Sequence, residues 1–377
     1  MKAVFYMAAA MALHFGGYEF IRNACLALFT SSEYGFSSPA AFPLANALIS
    51  PFSVMLLWGY GQQLDTHGPR GALKRTTTLS VLFISVVTAA LYACQQFNAP
   101  LLVRQLVIAL TFLFQSSYQY LLYTQQWSFV SSVLTPEEGS RWFPRMAGLS
   151  SLMCTVTGTL VQYMVPTTGL LGLMAATGLT LCGVLHCQDR AYQIAQTHNF
   201  DPAKQQAKAR AKLQSKDDTS ASSSNQASNR FTNATALFRR VPTLSALFCE
   251  VLSFQSLNTI LNVAFVGALR HTIPDDLARS SYTGRFYSLI NAVSALLQFV
   301  VLPPIMSRSE PALIWRGMPV IPFAVCLYQS CQATPSMTLL AAAFFLAKTM
   351  DYSLRSVVYA MVYQVRIIVI RENEARK

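Results

Sequence analysis

Ten mostly apolar stretches dominate this chain, at approximately 3–30, 37–60, 76–97, 101–132, 145–165, 167–187, 242–268, 285–306, 313–332 and 336–364. A helix crossing a ~30 Å hydrocarbon layer needs about 20 such residues. Backbone polar groups in lipid must also be satisfied within the structure, so only helices and closed barrels span. "VLFISVVTAALYAC" and "LLAAAFFLA" are apolar all round rather than alternating, which rules out barrel strands. The pattern predicts an all-α, polytopic membrane protein. Composition agrees: 53% of residues are hydrophobic and 12% charged, against about 25% charged in an ordinary soluble domain.

The net charge of +12 raises the alternative of nucleic-acid binding, but its placement argues for topology. With a cytoplasmic N-terminus, most Lys and Arg fall in cytoplasmic segments: Lys2; Arg70, Lys74 and Arg75; Arg141 and Arg145; the stretch from Arg190 to Arg240; Arg308 and Arg316; and the C-terminal tail. Arg270, Arg279 and Arg285 take the opposite side. This bias predicts both termini inside and no nucleic-acid partner. "MKAVFYMAAAMALHF" has a signal-peptide look, yet the run continues through Glu19 and Arg22 without a small-residue cleavage site, so it reads as a first spanning helix. The eight cysteines are scattered through apolar runs without a CxxC pair, predicting neither a disulfide framework nor a metal site.

Six runs precede a polar stretch and four follow it. The stretch contains "AKQQAKARAKLQSKDDTSASSSNQASNR", which cannot bury a core. The expected organisation is a six-helix bundle over 1–187, a cytoplasmic basic and Ser-rich linker over 188–240, and a second bundle of about four helices over 241–377. The sequon at Asn233 then lies on the wrong side for glycosylation. Six spans, a long inside loop and further spans match the plan of the major facilitator superfamily, whose two six-helix halves move about a midplane site. The chain is two spans short of that plan, and its ending predicts a truncated or divergent C-terminus.

Two cytoplasmic motifs carry the comparison further. "WGYGQQLDTHGPRGALKR", residues 58–75, joins the second and third runs. Its Gly61, Leu64, Asp65, Gly68 and Arg70 are similar to the superfamily's G-x-L-x-D-x-x-G-R-[RK] loop. Physically, Gly61 allows close helix packing, Asp65 can accept from an Arg or a helix N-terminus, and Gly68-Pro69 turns the chain. Such a charge-assisted latch can hold two halves in one access state, while a plain solvated turn is the alternative. The second motif, "TPEEGSRWFPRMAGL", reads as a helix start with Thr135 as N-cap, Pro136 in the first turn and Glu138 completing a capping box. Arg141 and Arg145, four apart, share one face of a short interfacial helix with Trp142 nearby.

"LTPEEGSRWFPRMAGLSSL" resembles the T-x-E-E-A-x-R-F-Y-P-L-F-G segment of the ATP/ADP translocase family of plastids and obligate intracellular bacteria, a distant branch of the facilitator superfamily. "GGYEFIRNACLALFTSSEYGF" and "AKTMDYSLRSVVYAMVY" are similar to two further family segments, in the expected order. The resemblance implies a nucleotide exchanger. At four places where the family carries charges this chain has others: Cys25, Ser132, the neighbourhood of Asn262, and Tyr359 with Ala360.

A charge in a spanning helix costs at least ~2.5 kcal/mol, so each is a functional candidate. Glu19 and Arg22 are three apart, and Lys348, Asp351 and Arg355 form a stripe at i, i+3 and i+7. These five sum to one net positive charge, which would attract an anion. Gln115, Tyr118, Gln119 and Gln126 line one side of the fourth run, and Gln255, Asn258 and Asn262 one side of the seventh. They serve as solute ligands or as interhelical glue. Tyr18, Tyr352 and Tyr359 could stack a base or simply pack.

The expected function is therefore transport of a polar, anionic solute, ATP, ADP or another phosphate-bearing metabolite, by alternating access. Expected substrate-binding residues are Glu19, Arg22, Gln119, Asn258, Asn262, Lys348, Asp351 and Arg355, with Glu19 as proton carrier if an ion gradient drives the step. Membrane lipid is the other expected partner. With no phosphate loop, catalytic triad or metal-ligand spacing, no enzymatic activity and no cofactor are expected. A carrier of a sugar, drug or metabolite, and a non-transporting receptor on the same scaffold, are the alternatives.

Overall fold

A computed structural model describes residues 2–134, 136–197, 242–302, 304–305, 320–331 and 336–355. Among these, helix is the only regular secondary structure: α1 (Lys2–Thr30), α2 (Ala41–Gln96), α3 (Leu101–Val133), α4 (Pro136–Thr197), α5 (Pro242–Thr272), α6 (Asp276–Leu296), α7 (Val320–Ser330) and α8 (Met337–Met350). Two wide π-turns continue α6 through Leu297–Val301 and α8 through Asp351–Arg355. Among the described residues, six helices are long and apolar enough to cross a membrane: Lys2–Thr30, Ala41–Gln96, Leu101–Val133, Trp142–Thr197, Phe248–Thr272 and Asp276–Val301. Thr135, Arg308, Arg316, Asn233 and Tyr359, the body of the expected linker, and the ends of the last two apolar runs lie outside the described residues.

Two long elements are each a folded-back pair. In α2, Phe42 and Phe83 would stand ~60 Å apart in a straight helix. Yet Phe42 meets Phe112 and Phe83 meets Phe114, at ring separations of 5.7 and 3.9 Å. The chain reverses at Gly68, whose φ of 69° and ψ of 175° are non-helical. Pro69 then starts the second helix, where a missing N–H is harmless. In α4, Thr157 lies against Gly16 while Thr177 Oγ1 donates to the Gly17 carbonyl at 3.0 Å. Two residues ~30 Å apart along a straight helix thus reach one level of α1, and Gly169, with φ 68°, makes the reversal.

The segment expected as a loop at residues 61–75 is therefore helix on both sides of one non-helical residue. Likewise α4 starts at Pro136 and runs through Pro144 without a separate interfacial helix, and it continues ten residues into the stretch expected as linker. Phe129 holds that extension against Tyr192, with ring centroids 4.6 Å apart.

α1 occupies the middle, with 67% of its most apolar window buried against 28–44% in the other candidate spans. It packs on α3, α4 and α6. Elsewhere Trp58, Leu102 and Leu179 point outward at 67%, 78% and 75% exposure, an apolar exterior suited to lipid rather than water. α4 and α6 approach until a methyl on Gly158 would sit 3.2 Å from the Gly284 carbonyl. Small residues permit such backbone contact between membrane helices. Local signals set the helix starts: Asp275 accepts from the Ala278 N–H at 2.6 Å and Ser336 from the Leu339 N–H at 3.2 Å.

Candidate functional site

α1 contributes the first charges. Glu19 and Arg22 are spaced i, i+3, so one turn brings carboxylate and guanidinium together as an ion pair. Both are enclosed, at 1% and 8% exposure. Across the interface, α6 supplies Asn291, whose Nδ2 donates to Glu19 Oε1 at 3.1 Å. It also supplies Tyr287, whose ring centroid lies 3.3 Å from the Arg22 guanidinium carbon. The Tyr18 ring is farther, at 5.6 Å. Arg22 donates once more, to the Tyr352 hydroxyl at 3.5 Å, beyond the end of α8.

The second group of charges lies on α8 and its π-turn. Asp351 sits between two cations, Lys348 at 3.7 Å and Arg355 at 3.1 Å. Arg355 is in turn paired with Glu250 of α5, at 3.3 Å from Nε and 3.5 Å from a terminal nitrogen. The Phe254 ring lies 4.6 Å from its guanidinium carbon. Tyr352 joins the two groups: its hydroxyl accepts from Arg22, and its ring lies 5.5 Å from Lys348 Nζ. Its backbone carbonyl accepts from Gln298 Nε2 at 2.8 Å, and Gln298 Oε1 accepts from Ser151 of α4 at 3.1 Å. π-Turns widen the helix locally and recur at functional sites; here one sets Tyr352 and Arg355 toward different neighbours.

Arg22 and Arg355 therefore have separate acids, and Tyr352 connects the Arg22 group to Lys348 of the second group. The charge sum also changes. Glu250, inside the seventh apolar run, was not counted among the sequence candidates; with it, Arg22, Lys348 and Arg355 face Glu19, Asp351 and Glu250. The expected surplus positive charge is cancelled, because each of the three cations has an acid beside it.

The remaining candidates divide. Asn258 is buried at 3% exposure, and among the described residues neither amide atom has a partner. Asn262 and Gln119 are half-buried, and among the described residues neither bonds to the charge groups. Arg70 grips Asp189 through Nε at 3.2 Å and a terminal nitrogen at 2.7 Å, and reaches Gln196 at 2.8 Å. That contact ties α2 to α4, both before the linker, rather than one half of the chain to the other. Asp65 is exposed on the same helix pair. No described atom comes within 4 Å of a methyl placed on Gly61, so this glycine is not used for close packing. Glu138 is exposed; Arg145 is exposed too, 5.2 Å over the Trp142 ring; the Arg141 side chain lies outside the described residues.

Compared with known proteins, the chain matches no family model and no curated protein.

Glu250, Tyr287, Asn291 and Gln298 were the residues that sequence reasoning missed. The rule that flagged Glu19, an ionised group inside an apolar run, applies equally to Glu250. Nothing in the sequence distinguishes Tyr287 from the chain's other tyrosines. A further buried cation, Arg279 at 2% exposure, was expected in a loop; it pairs with Asp276 and donates to the carbonyls of Ile273 and Pro274 at 3.0 and 3.1 Å.

Proposed function

We propose that this protein is a multi-pass membrane carrier for a polar, phosphate-bearing or otherwise anionic solute. In this reading the folded-back α2 and α4 supply two spans each, and two bundles joined by the linker alternate access. The observation that supports it is the network of three cations and three acids, buried or half-buried, connecting α1 with α5, α6 and α8. Ionised groups among apolar helices are costly, and they persist where they bind or move charge. The network lies where the first helices meet the later ones, so relative motion of the halves would open its pairs to a solute. The resemblance to the ATP/ADP translocase family supplies the substrate class with which to begin.

The test is uptake of labelled ADP, ATP and phosphate into proteoliposomes by the wild type, Arg22→Ala and Arg355→Ala. Saturable uptake that falls at least about tenfold in each variant is the expected result, the loss of roughly 1.4 kcal/mol per contact. A specific observation favours a second reading, a non-transporting receptor: every ion pair of the network is closed, and α4 and α6 touch backbone to backbone at Gly158 and Gly284. Folded protein with no saturable flux of any solute would decide for it.

A further inference from the structure

Resting on that reading, we propose that Arg355 and Asn258 form an oxyanion site whose resident counter-ion is Glu250, which an incoming phosphate or carboxylate displaces. Three observations carry this. The Arg355–Glu250 pair is loose: its contacts are 3.3 and 3.5 Å, and the Nε and Oε1 atoms do not meet hydrogen-bond geometry. Charge-assisted N–H···O bonds are normally about 2.7–2.9 Å. The half-exposed Arg70–Asp189 pair of this same chain reaches 2.7 Å. A phosphate, offering bidentate acceptance, would make a better partner for Arg355 than Glu250 does.

Next, the guanidinium is held independently of Glu250. Phe254 lies against it and Asp351 grips it from within its own turn at 3.1 Å. Removing Glu250 from the pair therefore leaves Arg355 oriented.

Finally, the register of the two helices brings toward Arg355 an amide that has no partner among the described residues. Phe265 stacks on Phe344 at 5.1 Å, and Phe254 meets Arg355. Eleven residues back along α5 thus correspond to eleven forward on α8, so the two run antiparallel. Asn258, four residues beyond Phe254, falls level with Asp351, four before Arg355. Glu250, Phe254 and Asn258 recur every four residues and share the face toward α8. A buried amide with no partner among the described residues is costly to leave unpaired, and its N–H donors on this face of α5 are suited to a phosphate oxygen.

The experiment measures binding of inorganic phosphate and ADP by calorimetry, with full-length protein in phosphatidylcholine nanodiscs. Glu250→Gln should tighten binding by about tenfold. Glu250→Asp, whose carboxylate falls one methylene short, should tighten it less. Asn258→Ala should weaken it by about fivefold, and Arg355→Gln should abolish it. Unchanged or weaker binding in folded Glu250→Gln and Glu250→Asp, with no added retention of phosphatidylglycerol and with flux intact in the wild type, would overturn the inference and leave the carrier reading standing. Absence of flux for any solute would overturn the carrier reading itself. Replacing a quarter of the lipid by phosphatidylglycerol separates the sources of the oxyanion. Retention of that lipid by Glu250→Gln without ADP or phosphate binding would support the oxyanion site and assign its ligand to a lipid headgroup.

Discussion

Replacing Glu19 by Gln removes the only carboxylate bonded to Arg22 among the described residues and strands a guanidinium that is 8% exposed. Breaking a buried pair from one side typically costs about 3–5 kcal/mol, whereas removing both charges is far milder. Glu19→Gln should therefore lower the thermal unfolding midpoint sharply, and Glu19→Gln with Arg22→Gln should recover most of it. Equal losses in the single and double variants would show that the pair does not act as a unit. If Glu19 also carries a coupling proton, Glu19→Gln should make uptake independent of an imposed pH gradient. At this scale the contacts within one helix were legible and those between helices were not. Glu19 with Arg22, and Asp351 between Lys348 and Arg355, were legible because i, i+3 and i+4 spacing dictates contact within one helix. Contacts between helices, Asn291 to Glu19 and Glu250 to Arg355, depend on which faces meet, and residue spacing carries no information about that.

At the scale of elements, the two chain reversals depend on glycines in the left-handed region, where an L side chain costs about 1–2 kcal/mol. No described atom lies within 4 Å of a methyl at Gly68 or Gly169, so conformation is the only penalty there. Gly68→Ala and Gly169→Ala should each destabilise by about 1–2 kcal/mol in reversible denaturant titrations. Gly284→Val differs in kind, since its side chain would meet both Val161 and the Gly158 carbonyl and force α4 from α6. A larger loss of stability than in Gly68→Ala is expected. The reversals were legible because "THGPRG" and "VPTTG" concentrate Gly and Pro between apolar runs. The continuation of α4 to Thr197 was not, because "QDRAYQIAQT" reads as polar linker by composition. Its helix persists because Arg70 takes Asp189 and Tyr192 packs on Phe129, two tertiary contacts that outweigh local polarity.

For the whole molecule, the asymmetry of basic residues predicts sidedness. In a chain whose eight cysteines are replaced, Thr66→Cys should react with an impermeant maleimide only from the cytoplasmic face, and Thr272→Cys only from the other. Labelling of both from one side would reject the topology. Fold class was legible from hydropathy alone, because a backbone in lipid has so few solutions. The placement of α1 at the centre was not, since all the spans are similarly apolar. That placement bears on how the protein is made. α1 precedes in the chain all the helices that enclose it, so it is synthesised before they are. Because its acid and base lie one turn apart, the pair can neutralise itself within this one helix before any partner helix is made.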